Sequence, residues 1–230
     1  METQDAEWQP LFRLQIPWNQ STFWAMSEDE AKEFFAFFKE TIPLRISWLK
    51  WMVNRTPGYE DWRPDCDVGS YDTLERWLRE SLPRFTGDGA GQIKPPPPQD
   101  TSNIIASNDP WPPSNDADQA PWTTSDMTMA VSMAAGSYIG ECIRRAYPMC
   151  RWMRRTAKLD VDQNQPLLGL ARNCAGGFNA VLWVRGKMIY RIVDDPRVSS
   201  ISKGIAYWMS VAKAGTEREL RKRQSNRPPE

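Results

Sequence analysis

The sequence predicts an α+β fold, with one predominantly α-helical domain of 230 residues, a small β component and a long Pro-rich insert. Apolar residues recur at helical spacing over most of the chain. Residues 149–156 and 165–171 are short apolar or alternating runs of strand length. Residues 86–122 lose this periodicity and are rich in Gly, Pro, Asp and Asn, as expected for a long surface loop or a partly disordered insert.

The first strongly predicted helix begins at a capping box. Ser27 is followed three residues later by Glu30, and acidic residues fill the first turn, where the helix dipole favours negative charge. Apolar residues from Phe35 to Val53 keep helical spacing across Pro43. The pattern predicts either one helix that is kinked at Pro43 or a second helix that begins there.

Two further helices flank the insert. Leu74, Trp77 and Leu78 form one apolar stripe within residues 70–83, which predicts a helix that faces the core. Residues 123–148 combine helical spacing with small side chains at Ala134, Ala135, Gly136 and Gly140. Because small side chains let neighbouring elements approach closely, this segment is predicted to be the central buried helix.

The last quarter of the chain holds one ambiguous segment. Residues 178–193 fit both a helical pattern and a strand alternation, and their length favours a helix. A final helix is predicted from Ser200 to about Ala214, and residues 215–230 are predicted to be a charged, flexible tail. No internal repeat is visible, so residues 1–230 are expected to form a single domain.

The absence of histidine excludes several kinds of active site. Histidine is the usual general base near neutral pH and the commonest metal ligand. Catalytic arrangements of the Ser-His-Asp or Cys-His type and His-containing zinc sites are therefore impossible. The enzyme mechanisms that remain would depend on carboxylates, Lys, Tyr or Arg, with or without Mg²⁺. No catalytic residue, no metal site and no cofactor is predicted, and a non-enzymatic protein is expected.

Cysteine usage and hydropathy predict a cytoplasmic protein. The four cysteines, Cys66, Cys142, Cys150 and Cys174, are scattered without CxxC spacing, which favours free thiols in a reducing compartment over a disulfide framework. The sequence starts without the basic and apolar regions of a signal peptide, and no apolar run reaches the length of a membrane-spanning helix. We therefore expect no membrane partner.

The net charge of zero conceals an asymmetry. Residues 1–122 hold 20 Asp and Glu and 11 Lys and Arg, a net charge of −9, and the remainder of the chain carries +9. Either the two halves neutralise each other in the fold, or the asymmetry steers a charged partner towards one face.

Two stretches carry a resemblance to a known group of proteins. SEDEAKEFFAFFKETIPLRISWLK, at residues 27–50, and VDQNQPLLGL, at residues 161–170, resemble segments of a group of largely uncharacterised bacterial proteins associated with toxin immunity. The first is similar to that group's capped, aromatic-rich helix, and the second to its Asn-x-Pro turn before an apolar strand. The resemblance implies an immunity protein that neutralises a cognate toxin domain by stoichiometric binding.

An acidic segment between two predicted helices is the candidate partner-binding site. Its residues are Glu60, Asp61, Trp62, Asp65 and Asp67. A negative loop with one central aromatic could occupy the phosphate-binding surface of a nuclease toxin, although an ordinary solvated turn has the same composition. Further interface candidates are Trp111 and Trp122, in polar and Pro-rich surroundings. For these two residues and for Trp62, a ring that pins its loop to the core is an equally good interpretation.

Two alternatives belong to other functional classes. Asp160 and Asp162, with Asp194 and Asp195, have the chemistry of a Mg²⁺ site and would suit a carboxylate-dependent enzyme. The basic residues 151–158, which include Trp152, would suit a nucleic-acid-binding module. In a strand, however, that stretch divides its charge between two faces, so no dedicated nucleic-acid binding is expected.

Overall fold

The computed structural model of the chain describes residues 20–85, 124–158, 160, 162–169, 177–192 and 200–225. These residues form six helices and a three-stranded antiparallel sheet, which confirms the predicted α+β class. The helices are α1 (Gln20–Ala25), α2 (Glu28–Asn54), α3 (Val68–Phe85), α4 (Thr124–Ala146), α5 (Ala180–Ile192) and α6 (Ile201–Ser225). The strands are β1 (Arg151–Arg154), β2 (Pro166–Gly169) and β3 (Gly177–Phe178). The predicted insert at residues 86–122 lies outside the described residues.

Helix α2 begins at the predicted capping box and continues through its proline. The Ser27 hydroxyl accepts a hydrogen bond from the Glu30 backbone N–H at 3.3 Å, and the Glu30 carboxylate accepts one from the Ser27 N–H at 2.8 Å. The helix then runs from Glu28 to Asn54 with Pro43 inside it. Of the two alternatives predicted at this position, the structure therefore contains a single helix.

Helix α4 is the buried centre of the fold, as predicted. Ala134, Ala135, Ile139 and Ile143 on this helix have no exposed surface. A Cβ atom added to Gly136 would lie 2.7 Å from Val181 Cα in α5, so glycine is required for the close approach of these two helices.

The sheet packs on α4 through Trp152. Strand β2 lies between β1 and β3, with Trp152 opposite Leu168 and Leu168 opposite Phe178. The Trp152 ring packs so closely on Gly140 that a Cβ atom added to this glycine would clash with the ring. The Trp152 Nε1 donates a hydrogen bond to Glu141 at 2.8 Å. Both predicted strands are confirmed, and the ring positions them on the helix.

The ambiguous segment is a helix, as its length suggested. Residue Phe178 ends β3, and Asn179 accepts a hydrogen bond from the Leu182 N–H at 3.0 Å at the start of α5. Helix α6 was predicted to end near Ala214 but continues to Ser225. Residues 226–230 of the predicted tail lie outside the described residues.

Helix α6 is fixed to α3 at its first residue. The Glu75 carboxylate, which is buried, accepts a hydrogen bond from the Ile201 N–H at 2.6 Å, and the Ser202 hydroxyl bonds Asp72. A carboxylate at this end of a helix satisfies unpaired N–H groups and interacts favourably with the helix dipole. None of the helices in the described ranges is long and apolar enough to cross a membrane.

Candidate protein-binding surface

The acidic loop, residues 55–67 between α2 and α3, presents its carboxylates to solvent. Glu60, Asp61, Asp65 and Asp67 are all exposed. Gly58, with φ of +88°, turns the chain so that its N–H donates to both Glu60 carboxylate oxygens, at 3.0 and 2.9 Å. Hydrogen bonds from the backbone N–H of Glu60 itself and from that of Gly58 lower the pKa of the Glu60 carboxyl. The charges predicted for this loop are therefore available to a partner.

Trp62 does not lie on the surface, so of the two roles predicted for its ring, interface residue and loop anchor, the structure supports the anchor. Only 5% of the residue is exposed. Its Nε1 donates a hydrogen bond to the Ser70 carbonyl at 3.0 Å, and its ring packs edge-to-face on Tyr138 at 5.7 Å. Burial removes a large apolar area from water while the indole N–H keeps a partner. Trp62 therefore anchors the loop to the core.

A disulfide provides a second anchor. Cys66 in the acidic loop is bonded to Cys142 in α4, with a Cα–Cα distance of 5.2 Å. The expectation of four free thiols is therefore wrong for this pair, and Cys150 is buried. Disulfides persist mainly in oxidising environments, so the cysteines no longer support the cytoplasmic expectation. Cys174 lies outside the described residues.

Two tyrosines hold the backbone of Cys66. The Cys66 N–H donates to the Tyr138 hydroxyl at 3.0 Å, and the Tyr71 hydroxyl donates to the Cys66 carbonyl at 2.9 Å. Burial raises the pKa of both tyrosines, which keeps the hydroxyls neutral. These contacts hold Cys66 at φ of +68°, a left-handed conformation that non-glycine residues rarely adopt.

The loop ends at the N-terminus of α3. Asp67 accepts a hydrogen bond from the Ser70 N–H at 2.6 Å, as an N-cap residue does. The Ser70 hydroxyl is itself bonded to Tyr138, so the cap and the Cys66 anchor share one network. The loop thus combines exposed acidic side chains with a backbone that is fixed to the core at several points.

The chain was also compared with known proteins. No protein family, no curated protein and no solved structure matches it. The resemblance to immunity proteins therefore remains a prediction, and function has to be inferred from the geometry of the chain itself.

The predicted magnesium ligands serve the turn between β1 and β2. Asp160 accepts hydrogen bonds from the Arg155 guanidinium at 2.9 and 2.7 Å and from the Asp162 N–H at 3.0 Å. Asp162 accepts one from the Asn179 amide at 2.8 Å. Asp194 and Asp195 lie outside the described residues, within which no group of three or more His, Cys, Asp or Glu could hold a metal ion.

The basic stretch is largely paired with groups of the same chain. Arg154 bonds the Glu28 carboxylate and the Asn164 amide oxygen, and Arg155 bonds Asp160. Arg151, by contrast, is exposed. As predicted, neighbouring residues of β1 face opposite sides of the sheet, so the remaining charge does not form one continuous surface.

Sequence reasoning found the carboxylates of the acidic loop and left open an anchoring role for Trp62, but it missed Tyr138 and Cys142. Tyr138 and Cys142 are four residues apart and therefore share one face of α4, a spacing that the sequence does show. Nothing in the sequence indicates that this face meets the loop that contains Cys66. The other interface candidates, Trp111 and Trp122, lie outside the described residues.

Proposed function

We propose that this chain is a non-enzymatic binding protein of the toxin-neutralising kind, and that its acidic loop contacts a basic surface of a cognate toxin domain. The observation that carries the proposal is the combination of four exposed carboxylates with an anchored backbone. Between Pro57 and Asp67 the chain holds these four acids and one base, Arg63. The proposal assigns no catalytic residue and no cofactor to the chain.

An anchored loop suits recognition for an energetic reason. A loop that is ordered before it meets its partner loses less conformational entropy on binding. Trp62 and the Cys66–Cys142 disulfide supply that order here. Carboxylates at fixed positions then attract a basic surface at long range and accelerate encounter, as electrostatic complementarity does in other complexes.

The two alternative functions have less support. An enzyme that binds a metal at Asp160 and Asp162 has less support because the Arg155 guanidinium already neutralises Asp160, at 2.7 Å. A nucleic-acid module would need the guanidinium groups of Arg154 and Arg155, and both are paired with carboxylates.

Charge reversal in the loop tests the proposal. The partner is the toxin domain encoded beside the chain's own gene, and the variant is the joint change Asp61→Lys and Asp65→Lys. We expect association to slow by about 10-fold or more at low salt, with a smaller effect at high salt because the charges are screened. Surface plasmon resonance measures both rates, and circular dichroism checks that the variant is folded.

The matched control is the joint change Glu33→Lys and Glu40→Lys, because it alters the net charge equally on the exposed face of α2. We expect this control to associate at close to the wild-type rate. Equal slowing by both variants would show that only net charge matters, and unimpaired binding by the loop variant would remove the loop from the interface. A neighbouring gene without a toxin domain would contradict the immunity proposal itself.

Trp62→Ala is not a suitable probe of the interface. Because the ring is buried and hydrogen-bonded, its removal is expected to destabilise the fold by about 3–5 kcal/mol. Weaker binding by this variant would then reflect lost structure.

A further inference from the structure

The four carboxylates of the acidic loop form two pairs, and each pair lies beside a different anchor of the loop. Glu60 and Asp61 lie next to the buried Trp62, whose indole holds that part of the loop to the Ser70 carbonyl. Asp65 and Asp67 lie on either side of Cys66. Asp67 is also held by the hydrogen bond that it accepts from the Ser70 N–H, so Asp65 is the acid whose position depends on how firmly Cys66 is held.

The backbone of Cys66 is held in a left-handed conformation that residues with a side chain disfavour. Its φ of +68° is rare for a residue with a Cβ atom, and three contacts maintain it. These are the disulfide to Cys142, the hydrogen bond to Tyr138 and the hydrogen bond from Tyr71. The disulfide is the only covalent contact of the three, and its loss leaves two hydrogen bonds against the backbone preference.

We propose that the Cys66–Cys142 disulfide is a redox switch that fixes Asp65 for binding when oxidised and releases it when reduced. The proposal rests on the proposed function, because it assumes that the acidic loop contacts the partner. Glu60 and Asp61 stay in place in both states, since Trp62 anchors them independently.

Reduction follows ordinary thiol–disulfide exchange with a dithiol. One thiolate of the dithiol attacks the Cys66 sulfur, since Cys66 is half-buried whereas Cys142 is buried. The S–S bond breaks, a mixed disulfide forms at Cys66, and Cys142 leaves as a thiolate that takes up a proton. The second thiol of the reductant then displaces Cys66, so that the protein gains two thiols and the reductant becomes a disulfide.

The first arm of the test measures the loop without any partner. Cys150→Ala combined with Cys174→Ala leaves Cys66 and Cys142 as the only cysteines of the chain. We compare amide hydrogen exchange of this protein in its oxidised form and in dithiothreitol, and in a further variant with Cys66→Ala and Cys142→Ala. On reduction we expect exchange about 10-fold faster at Arg63 to Asp67, with little change at Tyr59 to Trp62 or in α2 and α4.

Three outcomes would overturn the switch. The amides from Arg63 to Asp67 could exchange equally in both redox states, which would mean that the hydrogen bonds alone hold Cys66. Exchange could accelerate throughout the chain, which would mean that the disulfide stabilises the whole fold and not the loop in particular. Thiol titration of the oxidised protein could find two free thiols, which would mean that the bond does not form.

The second arm separates the switch from the proposed function. Binding of the neighbouring toxin domain is measured for the oxidised protein, the reduced protein and the variant with Asp61→Lys and Asp65→Lys. Slower association on both reduction and charge reversal supports the switch. If charge reversal weakens binding and reduction does not, the switch is wrong and the proposed function stands. If neither change affects binding, the proposed function is wrong, and the switch falls with it.

Discussion

Arg45 in α2 is a buried cation without an acidic partner in the described part of the chain. The residue is 5% exposed. Its Nε donates to the Thr41 hydroxyl at 3.1 Å, and Nη1 lies 3.9 Å from the Met133 sulfur. The guanidinium also lies over the Phe37 and Phe38 rings, at 5.7 and 6.0 Å. These contacts are weak compensation for the loss of hydration of a full charge.

We predict that Arg45→Met stabilises the protein. Burial lowers the pKa of Arg45 to about 9, well below its ordinary value, which corresponds to a penalty of roughly 5 kcal/mol on the charged form. The hydrogen bond to Thr41 and the ring contacts each offset about 0.5–1 kcal/mol of this penalty. Methionine keeps most of the buried aliphatic surface, and the Thr41 hydroxyl retains its hydrogen bond to the Phe37 carbonyl at 2.8 Å. The expected net gain is about 1–4 kcal/mol.

Urea unfolding and calorimetry measure this gain. A rise of about 2–4 °C in Tm is expected for each kcal/mol. Arg45→Lys is the matched control, because it keeps the buried charge and loses the planar donors, and it is expected to bring no gain. A loss of more than about 1 kcal/mol in Arg45→Met would refute the reasoning, since it would show that the charge has a partner that offsets its burial.

Two further predictions concern packing and pH. Gly140→Ala is expected to cost about 1–3 kcal/mol in urea unfolding, because the added Cβ would meet the Trp152 ring at 2.2 Å. Gly186→Ala is its control, since nothing lies within 4 Å there, and a helical alanine is expected to add about 0.5–1 kcal/mol. Hydrogen bonds from the Asp162 N–H and Arg155 lower the pKa of Asp160. Its contribution to the free energy of unfolding is therefore fully present above the unfolded pKa of about 3.9 and is lost as pH falls through the folded pKa. Asp160→Asn should therefore be less stable than the wild type at pH 7, and the difference in free energy of unfolding should shrink as pH falls below about 3.9, whereas a pH-independent difference would contradict this.

The elements that the sequence predicts well are those specified by neighbouring residues. The capping box at Ser27 and Glu30 is local, and the structure contains both of its hydrogen bonds. The small residues of α4 predict its central position because close packing requires them at helical spacing. Residues 178–193 were ambiguous in periodicity, and only their length distinguished a helix from a strand.

The anchors of the acidic loop are not specified locally. Polar neighbours left open whether Trp62 lies at an interface or anchors the loop, because burial depends on the direction of this one side chain and on its contact with Tyr138. The pairing of Cys66 with Cys142 spans 76 residues and depends on how α4 meets the loop. Spacing rules for cysteine contain no information about such a contact.

Helix α4 meets the sheet at Gly140 and Trp152, and the same arrangement recurs where a Cβ on Gly204 would meet the Trp183 ring at 2.2 Å. In each pair the largest side chain occupies the space that the smallest residue leaves open. If a smaller side chain replaced the Trp, the glycine opposite could not fill the resulting void, because glycine has no side chain. A substitution at one member of each pair is therefore expected to be tolerated only with a compensating substitution at the other. Gly140 and Trp152 form one such coupled pair, and Gly204 and Trp183 form the second.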